Sequence, residues 1–167
     1  MTSLTVLEYP HKALRTVSSP VTEFDDLLQE TVKNMLHRMY EDKGCGLAAN
    51  QVGILKRIIV MDCSEEYDEP RCMINPEILV KEGEIEHQEG CLSLPGVYPK
   101  IKRAIKVTVR YQDEFGAFQT LEADGLLGHC IQHETDHLDG ILSIDRLSAL
   151  KRTMVLKKLE KLQRQAS

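Results

Sequence analysis

The most constraining feature of the sequence is a pair of histidines four residues apart, His133 and His137, with Glu134 directly after the first. Asp124 can cap a helix before this motif and Gly140 can end it, so a helix is predicted through both histidines. Residues four apart lie on one helix face, roughly 5–6 Å apart at Cβ. Two imidazoles placed in this way can bind one metal ion, and Glu134 lies beside them to accept a proton from water.

A catalytic metal site of this kind needs a third protein ligand and one open position. Downstream residues offer little, because Ser143 occupies the place of a third histidine and Glu160 lies within a basic segment. The third ligand is therefore expected upstream, where Cys91 stands in the irregular segment 89–96. A lone cysteine in a cytosolic protein is also commonly a small buried side chain, so both interpretations of Cys91 stay open on this evidence alone.

The remainder of the chain predicts an α+β fold rather than a doubly wound sheet. Apolar residues recur at helical spacing over residues 23–42, between an N-cap at Thr22 and a helix stop at Gly44. Short strands, two of them separated by Pro76, are predicted at residues 57–62, 72–75, 78–80, 106–111 and 117–122. We expect short antiparallel strands packed around a central helix that carries the histidines, with further helices near the N-terminus and the C-terminus.

Length and composition exclude several classes of protein. The chain has 167 residues, 42% of them hydrophobic and 28% charged, which is typical of one domain with a packed core. Its net charge of −5 argues against a DNA-binding protein. Residues 1–5 lack the features of a secretory signal, and no apolar run is long enough to span a membrane. Together with an odd number of cysteines, five, these features predict a cytoplasmic protein.

Charge is unevenly distributed along the chain. From Arg146 to the C-terminus there are seven basic residues and one acidic residue, a local charge of +6 on an otherwise acidic protein. We predict a single catalytic domain over residues 1–147 and a basic helix over residues 148–167, packed on that domain or extending from it. The basic face is either a solvated surface or a contact for a polyanion such as RNA. The cap and apolar positions predicted for this helix are Ser148, Met154 or Val155, Leu159 and Leu162.

Three segments together resemble the peptide deformylase family: residues 44–53, with the sequence GCGLAANQVG, residues 89–93, with EGCLS, and residues 132–138, with QHETDHL. Their order and spacing match the family. The opening residues 7–10 and the C-terminal helix are also similar to the bacterial type, so the resemblance covers nearly the whole chain. It implies a metal-dependent hydrolase that removes the formyl group from the N-terminal formylmethionine of nascent polypeptides and releases formate.

The resemblance also implies roles for individual residues. Glu134 would be the general base and acid, Gln51 and the backbone N–H of Leu92 would stabilise the oxyanion, and Gly46 would bind the substrate backbone. One divalent metal ion is implied, Fe²⁺ physiologically, with Zn²⁺, Ni²⁺ or Co²⁺ as substitutes. The C-terminal helix would bind the ribosome near its exit tunnel. The implied metal ligands are Cys91, His133 and His137.

The implied pocket for the substrate methionine departs from the family pattern. Cys45 stands where the family usually has Ile or Val, and His129 stands at an often aliphatic position. His129 is not expected to ligate the metal together with His133 and His137, because three ligands along one straight helix cannot converge on one ion. We predict a more polar pocket that still prefers methionine. Its residues would be Cys45, His87, Glu89, Leu126, His129 and Cys130.

Two other interpretations remain: a zincin-type metallopeptidase, which shares the histidine motif, and a deformylase paralogue that has lost its catalytic activity. A non-catalytic metal-binding or ribosome-associated module is a third alternative. A purely structural site needs neither Glu134 nor Gln51, and it normally closes its fourth position with protein. The presence of both residues therefore favours an enzyme.

Overall fold

A computed structural model describes residues 3–166 of the chain. Met1 and Thr2, which belong to the N-terminal segment analysed for a secretory signal, and Ser167 lie outside the described residues. No helix in residues 3–166 is long and apolar enough to cross a membrane. The three α-helices are α1 (Asp26–Glu41), α2 (Gly125–Leu138) and α3 (Ala149–Ala166).

Within residues 3–166, seven strands form two antiparallel sheets. The larger sheet has the order β1-β2-β3-β6-β7, and the smaller sheet pairs β4 with β5. This arrangement of strands with three helices confirms the predicted α+β class. The strands are β1 (Gly46–Ala48), β2 (Ile58–Met61), β3 (Arg71–Glu82), β4 (Ile85–Gln88), β5 (Lys100–Arg103), β6 (Lys106–Gln112) and β7 (Phe118–Asp124).

The prediction that Pro76 separates two strands is wrong. β3 runs through Pro76, and its register against β6 shifts between Ile74 and Glu77. A bulge of this kind lets a strand pass a residue that has no N–H to donate. The side chain of Asn75 accepts a hydrogen bond from the Val21 N–H at 2.8 Å and donates one to the Val21 carbonyl at 2.9 Å, which anchors the bulge.

Helix α1 begins later than predicted. Its N-cap is Asp25 rather than Thr22, because the Asp25 side chain accepts a hydrogen bond from the Leu28 N–H at 2.9 Å. Met35 and Met39 on this helix are fully buried and belong to the core.

Helix α2 lies at the centre of the molecule. Its buried residues Ile131 and Leu138 pack in one cluster with Met61 of β2 and Val107 of β6. Gly128 lets the first turns of the helix lie close to the end of β7, because a Cβ at this position would lie 2.8 Å from the Ala123 carbonyl oxygen. Asp124 is the N-cap as predicted, but its side chain makes no capping hydrogen bond.

Helix α3 packs on the rest of the protein through a narrow apolar stripe. Leu159 is fully buried in one cluster with Leu14, Leu94 and Val97. Of the two alternatives offered for the first apolar position, Val155 joins this cluster, whereas Met154 is 63% exposed.

Both ends of α3 make polar contacts. The Ser148 hydroxyl accepts a hydrogen bond from the Lys151 N–H at 3.3 Å, as expected for the predicted cap. Gln163 Nε2 donates a hydrogen bond to the Tyr9 carbonyl at 2.6 Å. The helix is therefore held to the rest of the protein at its middle and near its end.

Candidate metal centre and active site

Helix α2 and the loop after β4 bring one sulfur and two imidazoles together. His133 Nε2 and His137 Nε2 lie 3.1 Å apart, and Cys91 Sγ lies 3.4 Å from His137 Nε2. The ligand atoms of all three residues lie within 4.8 Å of one another. Both histidines are buried and Cys91 is half-buried. The structure thus brings together the three residues expected to bind a metal ion.

A buried ion-pair network orients the first of these histidines. Glu89 Oε1 lies 2.7 Å from His133 Nδ1, so Nδ1 can donate its proton to the carboxylate and leave the Nε2 lone pair free. Arg103 donates two hydrogen bonds to Glu89, at 2.7 and 2.9 Å, and one to Asp136 at 2.6 Å. Burial would raise the pKa of Glu89, but the bonds from Arg103 and His133 outweigh it and lower this pKa.

The second histidine is fixed through its backbone. Asn50 Nδ2 donates a hydrogen bond to the His137 carbonyl at 2.5 Å, which ties the 3₁₀ helix Ala49–Val52 to the end of α2. Burial is the main cause that lowers the pKa of His137. A neutral imidazole is the form that ligates metals.

The chemistry of these donors fits a divalent transition metal. Two imidazole nitrogens that face each other at 3.1 Å repel through their lone pairs unless a proton or a cation lies between them. Cys91 adds a thiolate donor, and two imidazoles with one thiolate suit Zn²⁺ or Fe²⁺. The carboxylate behind His133 supplies the outer contact that such ligands normally have.

Glu134 lies on the same helix with its carboxyl group in a confined space. The side chain is buried, and Oε1 has no hydrogen-bond partner among residues 3–166. A Cβ at Gly46 would lie 2.7 Å from Glu134 Oε2, so only glycine leaves room for the carboxylate here. Burial raises the pKa of Glu134 to about 8. A carboxyl group with this pKa can accept and return a proton near neutral pH.

Gln51 presents its amide nitrogen to the same site. Its Oε1 accepts a hydrogen bond from the Ala48 N–H at 2.9 Å, which fixes the orientation of the amide. Its Nε2 lies 3.0 Å from Ser93 Oγ and 3.8 Å from Cys91 Sγ. The amide nitrogen therefore donates to Ser93 and faces Cys91, which places it where it can stabilise developing negative charge.

These residues open into one pocket of about 440 Å³, a size suited to a small peptide segment. Its wall includes both the proposed chemical groups and the segment that would bind the substrate backbone. Among the lining residues are Gly46, Gln51, Cys91, Leu92, His133 and Glu134.

A second, smaller pocket of about 90 Å³ adjoins the first, and it contains the six residues predicted to surround the methionine side chain. His87 and His129 stack at 3.8 Å between ring centroids, and His87 Nε2 lies 2.9 Å from Glu89 Oε2. Leu126 is 56% exposed and lies at the pocket's edge. His87, Glu89 and His129 place polar side chains in this pocket.

Sequence reasoning missed several residues that support the site. Ser93 and Asn50 lie within the motifs that carry the family resemblance, so their positions were a usable signal. Asp136 likewise lies within the QHETDHL motif. Arg103 had no comparable signal, because its partners are distant in sequence and an isolated charged residue usually indicates an exposed surface.

The fold and this group of side chains define a class of protein: an α+β metal-dependent hydrolase whose helix carries two histidines and a glutamate. A family model described as polypeptide deformylase matches residues 3–153. A peptide deformylase from Chromobacterium violaceum is 51% identical over 99% of both chains. A second, from Neisseria gonorrhoeae, is 48% identical over 98% of both.

Solved structures give the same result. A crystal structure of a peptide deformylase from Legionella pneumophila matches with a TM-score of 0.94 and 42% identity, over 99% of this chain and 98% of the other. One from Synechococcus elongatus in complex with actinonin matches with a TM-score of 0.89 and 45% identity, over 93% and 86% of the respective chains. The chain belongs to the polypeptide deformylase family.

Proposed function

We propose that this chain hydrolyses the formyl group from the N-terminal formylmethionine of nascent polypeptides, releasing formate and a free amine. The observation that carries the proposal is the convergence in one pocket of a Cys-His-His donor set, a buried carboxyl group and an oriented amide. The cytoplasm, where nascent chains emerge, is the proposed location, and five free thiols are compatible with it.

Cys91, His133 and His137 would hold the divalent ion, with Fe²⁺ as the proposed physiological metal. When bound, the ion supplies Lewis acidity that makes hydroxide available near neutral pH. Glu89 and Arg103 would support this function by holding His133 in the tautomer that ligates through Nε2.

Glu134 is the proposed proton carrier. Its buried carboxylate would take a proton from the attacking water and then deliver it to the nitrogen of the leaving amine, which balances the hydrolysis. The unpartnered Oε1 is free to receive that proton. Such acid–base catalysis typically contributes about 10²–10⁴-fold to the rate.

Negative charge develops on the formyl oxygen as water adds to the carbonyl carbon. The Nε2 group of Gln51 and the backbone N–H of Leu92 are the proposed donors to that oxygen, and both residues line the same pocket. Removal of one such donor typically costs a factor of about 10²–10³ in kcat. Gln51→Leu should therefore lower kcat strongly, whereas Gln119→Leu on the exposed face of β7 should not.

The substrate backbone is proposed to bind along β1. This strand lies at the edge of the larger sheet, so one side of its backbone is free to pair with an extended peptide. Gly46 begins β1 and also lines the large pocket. The methionine side chain would then enter the small pocket between Cys45, Leu126 and His129.

The basic face of α3 is the proposed contact with the ribosome. Lys157, Lys158 and Lys161 are exposed on it, while Leu159 anchors the helix to the protein. An exposed basic helix is suited to the phosphate backbone of RNA. The observation thus supports a partner near the point where nascent chains emerge.

Formate release from a short formyl-Met peptide tests the proposal. Protein prepared anaerobically with measured metal content should release formate, a chelator should stop it, and Glu134→Ala should lower it by about 10²–10⁴-fold. Glu86→Ala, an exposed glutamate on β4, is the matched control and should retain activity.

Two outcomes would contradict the proposal. Fully metal-loaded protein that releases no formate would indicate a degenerate paralogue. Cleavage of internal peptide bonds in an unformylated peptide, without formate release, would indicate a zincin-type peptidase.

A further inference from the structure

Three cysteines outside the proposed catalytic metal site converge on one point. Their Sγ atoms all lie within 4.8 Å of one another. The thiols of Cys63 and Cys130 both approach the Cys45 carbonyl oxygen, at 3.9 and 3.6 Å. None of the five cysteines forms a disulfide. The group thus consists of three free thiols from three different elements.

The fold explains why residues so distant in sequence meet. Cys45 precedes β1 and Cys63 follows β2, and these strands pair antiparallel with Gly46 opposite Met61. Cys130 lies on α2, which packs against β1. The position of each thiol therefore depends on the core packing of the protein rather than on a mobile loop.

We propose that Cys45, Cys63 and Cys130 form a second metal site, which binds a thiophilic d¹⁰ cation such as Cu⁺, Zn²⁺ or Cd²⁺ through three sulfurs. A metal–sulfur bond of about 2.3 Å places three ligating sulfurs roughly 3.8–4.0 Å apart. The sulfurs therefore need to approach one another by no more than about 1 Å. Binding would displace the thiol protons to solvent as the metal–sulfur bonds form.

The donor set selects the class of ion. Among the described residues the group contains no nitrogen or oxygen ligand, and thiolates without harder donors favour soft cations. Cys130 is buried, Cys63 is half-buried and Cys45 is exposed, so an ion can enter from the Cys45 side. Hydrogen bonds from Cys130, and then from Cys63, lower the pKa of Cys45, whereas the hydrogen bond with Cys45 raises the pKa of Cys130, so the group favours one thiolate at Cys45.

The site is distinct from the Cys91 centre but close to it. Cys45 and Cys130 also line the 90 Å³ pocket, and a Cβ at Gly46 would lie 2.5 Å from Cys130 Sγ. A cation held by the three sulfurs would narrow that pocket. The effect of this narrowing on the substrate rests on the proposed function, because it matters only if the pocket receives the substrate side chain. The binding of the cation itself does not rest on the proposed function.

Cadmium titration of reduced, metal-free protein under anaerobic conditions tests the site. The probe is Cd²⁺ alone, followed by the ultraviolet thiolate-to-metal charge-transfer band and by metal analysis after gel filtration. Wild-type protein should bind two equivalents, one at each site, and Cys63→Ser should bind the second equivalent at least tenfold more weakly. Cys72→Ser removes a half-buried cysteine outside the group and should still bind two.

Alkylation provides a second measurement that does not depend on catalysis. Bound Cd²⁺ should protect Cys45 and Cys63 from iodoacetamide in wild-type protein, and mass spectrometry would locate the labelled residues. Cys63→Ala, checked by circular dichroism, replaces Cys63→Ser if the serine variant does not fold.

A single equivalent in wild-type protein, or an unchanged second equivalent in both Cys63 variants, would overturn the proposal. Two equivalents of Cd²⁺, together with no formate release from protein loaded with a single equivalent of Fe²⁺, would contradict the proposed function alone. Formate release with one equivalent would contradict the second site alone.

Discussion

Arg103 and Glu89 form a two-bond ion pair in which the side chains are only 3% and 5% exposed. The pair joins β5 to the loop that carries Cys91, and Glu89 in turn accepts a hydrogen bond from Nδ1 of His133. Arg103 thus fixes the orientation of His133 without contacting the donor atom of any metal ligand. The pair therefore couples the stability of the fold to the geometry of the site.

Replacement of Arg103 by Met should destabilise the protein strongly. It would leave Glu89 buried without its main partner, and breaking a buried pair in this way typically costs about 3–5 kcal/mol. Loss of an outer contact to a metal ligand typically weakens metal binding by about 10–100-fold. Urea unfolding of the metal-free protein and competitive metal titration would measure the two effects separately.

Lys106→Met is the matched control for this change. Lys106 pairs with Glu122 on the surface, with both side chains well exposed, so its loss should cost less than about 1 kcal/mol and leave metal affinity unchanged. Equal effects of the two substitutions would show that the buried pair does not orient His133.

The stacked histidines, His87 and His129, should alter which side chain the pocket prefers in the N-terminal residue of the substrate. A polar pocket rejects a purely aliphatic side chain more than an apolar pocket does, because its polar groups lose water without gaining partners. Formyl-Met, formyl-norleucine and formyl-Phe peptides should therefore be compared. Wild-type protein should prefer methionine over norleucine more strongly than the variant His87→Ile/His129→Ile does. We expect kcat/KM for norleucine relative to methionine to rise about tenfold in that variant.

Leu126 offers a control for the same pocket. It is already apolar and lies at the exposed rim, so Leu126→Ile should leave the ranking of the three peptides unchanged. An identical ranking in wild type and in the double histidine variant would refute a role of the two imidazoles in specificity.

Asp62 should make stability depend on pH below neutrality. Burial would raise its pKa, but hydrogen bonds from Ser64 and Tyr40, both at 2.5 Å, outweigh burial and lower it. The unfolded aspartate, with a pKa of about 3.9, therefore binds a proton before the folded one as the pH falls. The stabilisation is complete above that value and is lost as the pH falls toward the folded pKa.

Urea unfolding of metal-free protein between pH 7 and pH 3 would measure this effect. Asp62→Asn should be less stable than wild type by about 1–3 kcal/mol at pH 7, and the difference should shrink at pH 3. Glu65→Gln, an exposed residue of the same loop, should show no such trend. A difference that stayed constant with pH would mean that the charge of Asp62 contributes nothing.

The sequence predicted those parts of the site that depend on local spacing. His133 and His137 are four residues apart on one helix, so the geometry of α2 alone brings them together. Cys91 and Gln51 required the family resemblance, because they reach the site from loops whose positions depend on the whole fold. Arg103 and the meeting of Cys45 with Cys63 depend on strand pairing and helix packing, for which the sequence offers no periodic signal.

The same contrast applies to secondary structure. The strands β6 and β7, which pair as a long hairpin, were both predicted from the sequence. The three-residue strand β1 was not, because its sequence of small residues has no strand pattern and it is a strand only because β2 pairs with it. Since Gly46 belongs to β1, the proposed peptide-binding edge could be recognised only in three dimensions.

Helix α3 should bind ribosomes through its charge, and it contributes to stability through its apolar stripe. Deletion of residues 148–167 would remove the basic face and also expose the apolar cluster around Leu159, so it would change ribosome binding and stability at the same time. Charge reversal of three exposed lysines avoids the problem: Lys157→Glu/Lys158→Glu/Lys161→Glu should weaken ribosome binding and leave formate release from short peptides unchanged.

Salt dependence distinguishes a phosphate contact from a general loss of affinity. Each phosphate contact released should reduce the slope of log affinity against log salt by roughly 0.7–0.9, so three substitutions should reduce it by roughly 2–3. A variant with three other exposed lysines reversed, Lys33, Lys56 and Lys81, makes the same change in net charge on other surfaces and should keep the wild-type slope. Equal slopes for the two variants would mean that binding responds to total charge, and α3 would then lose its proposed role as the docking element.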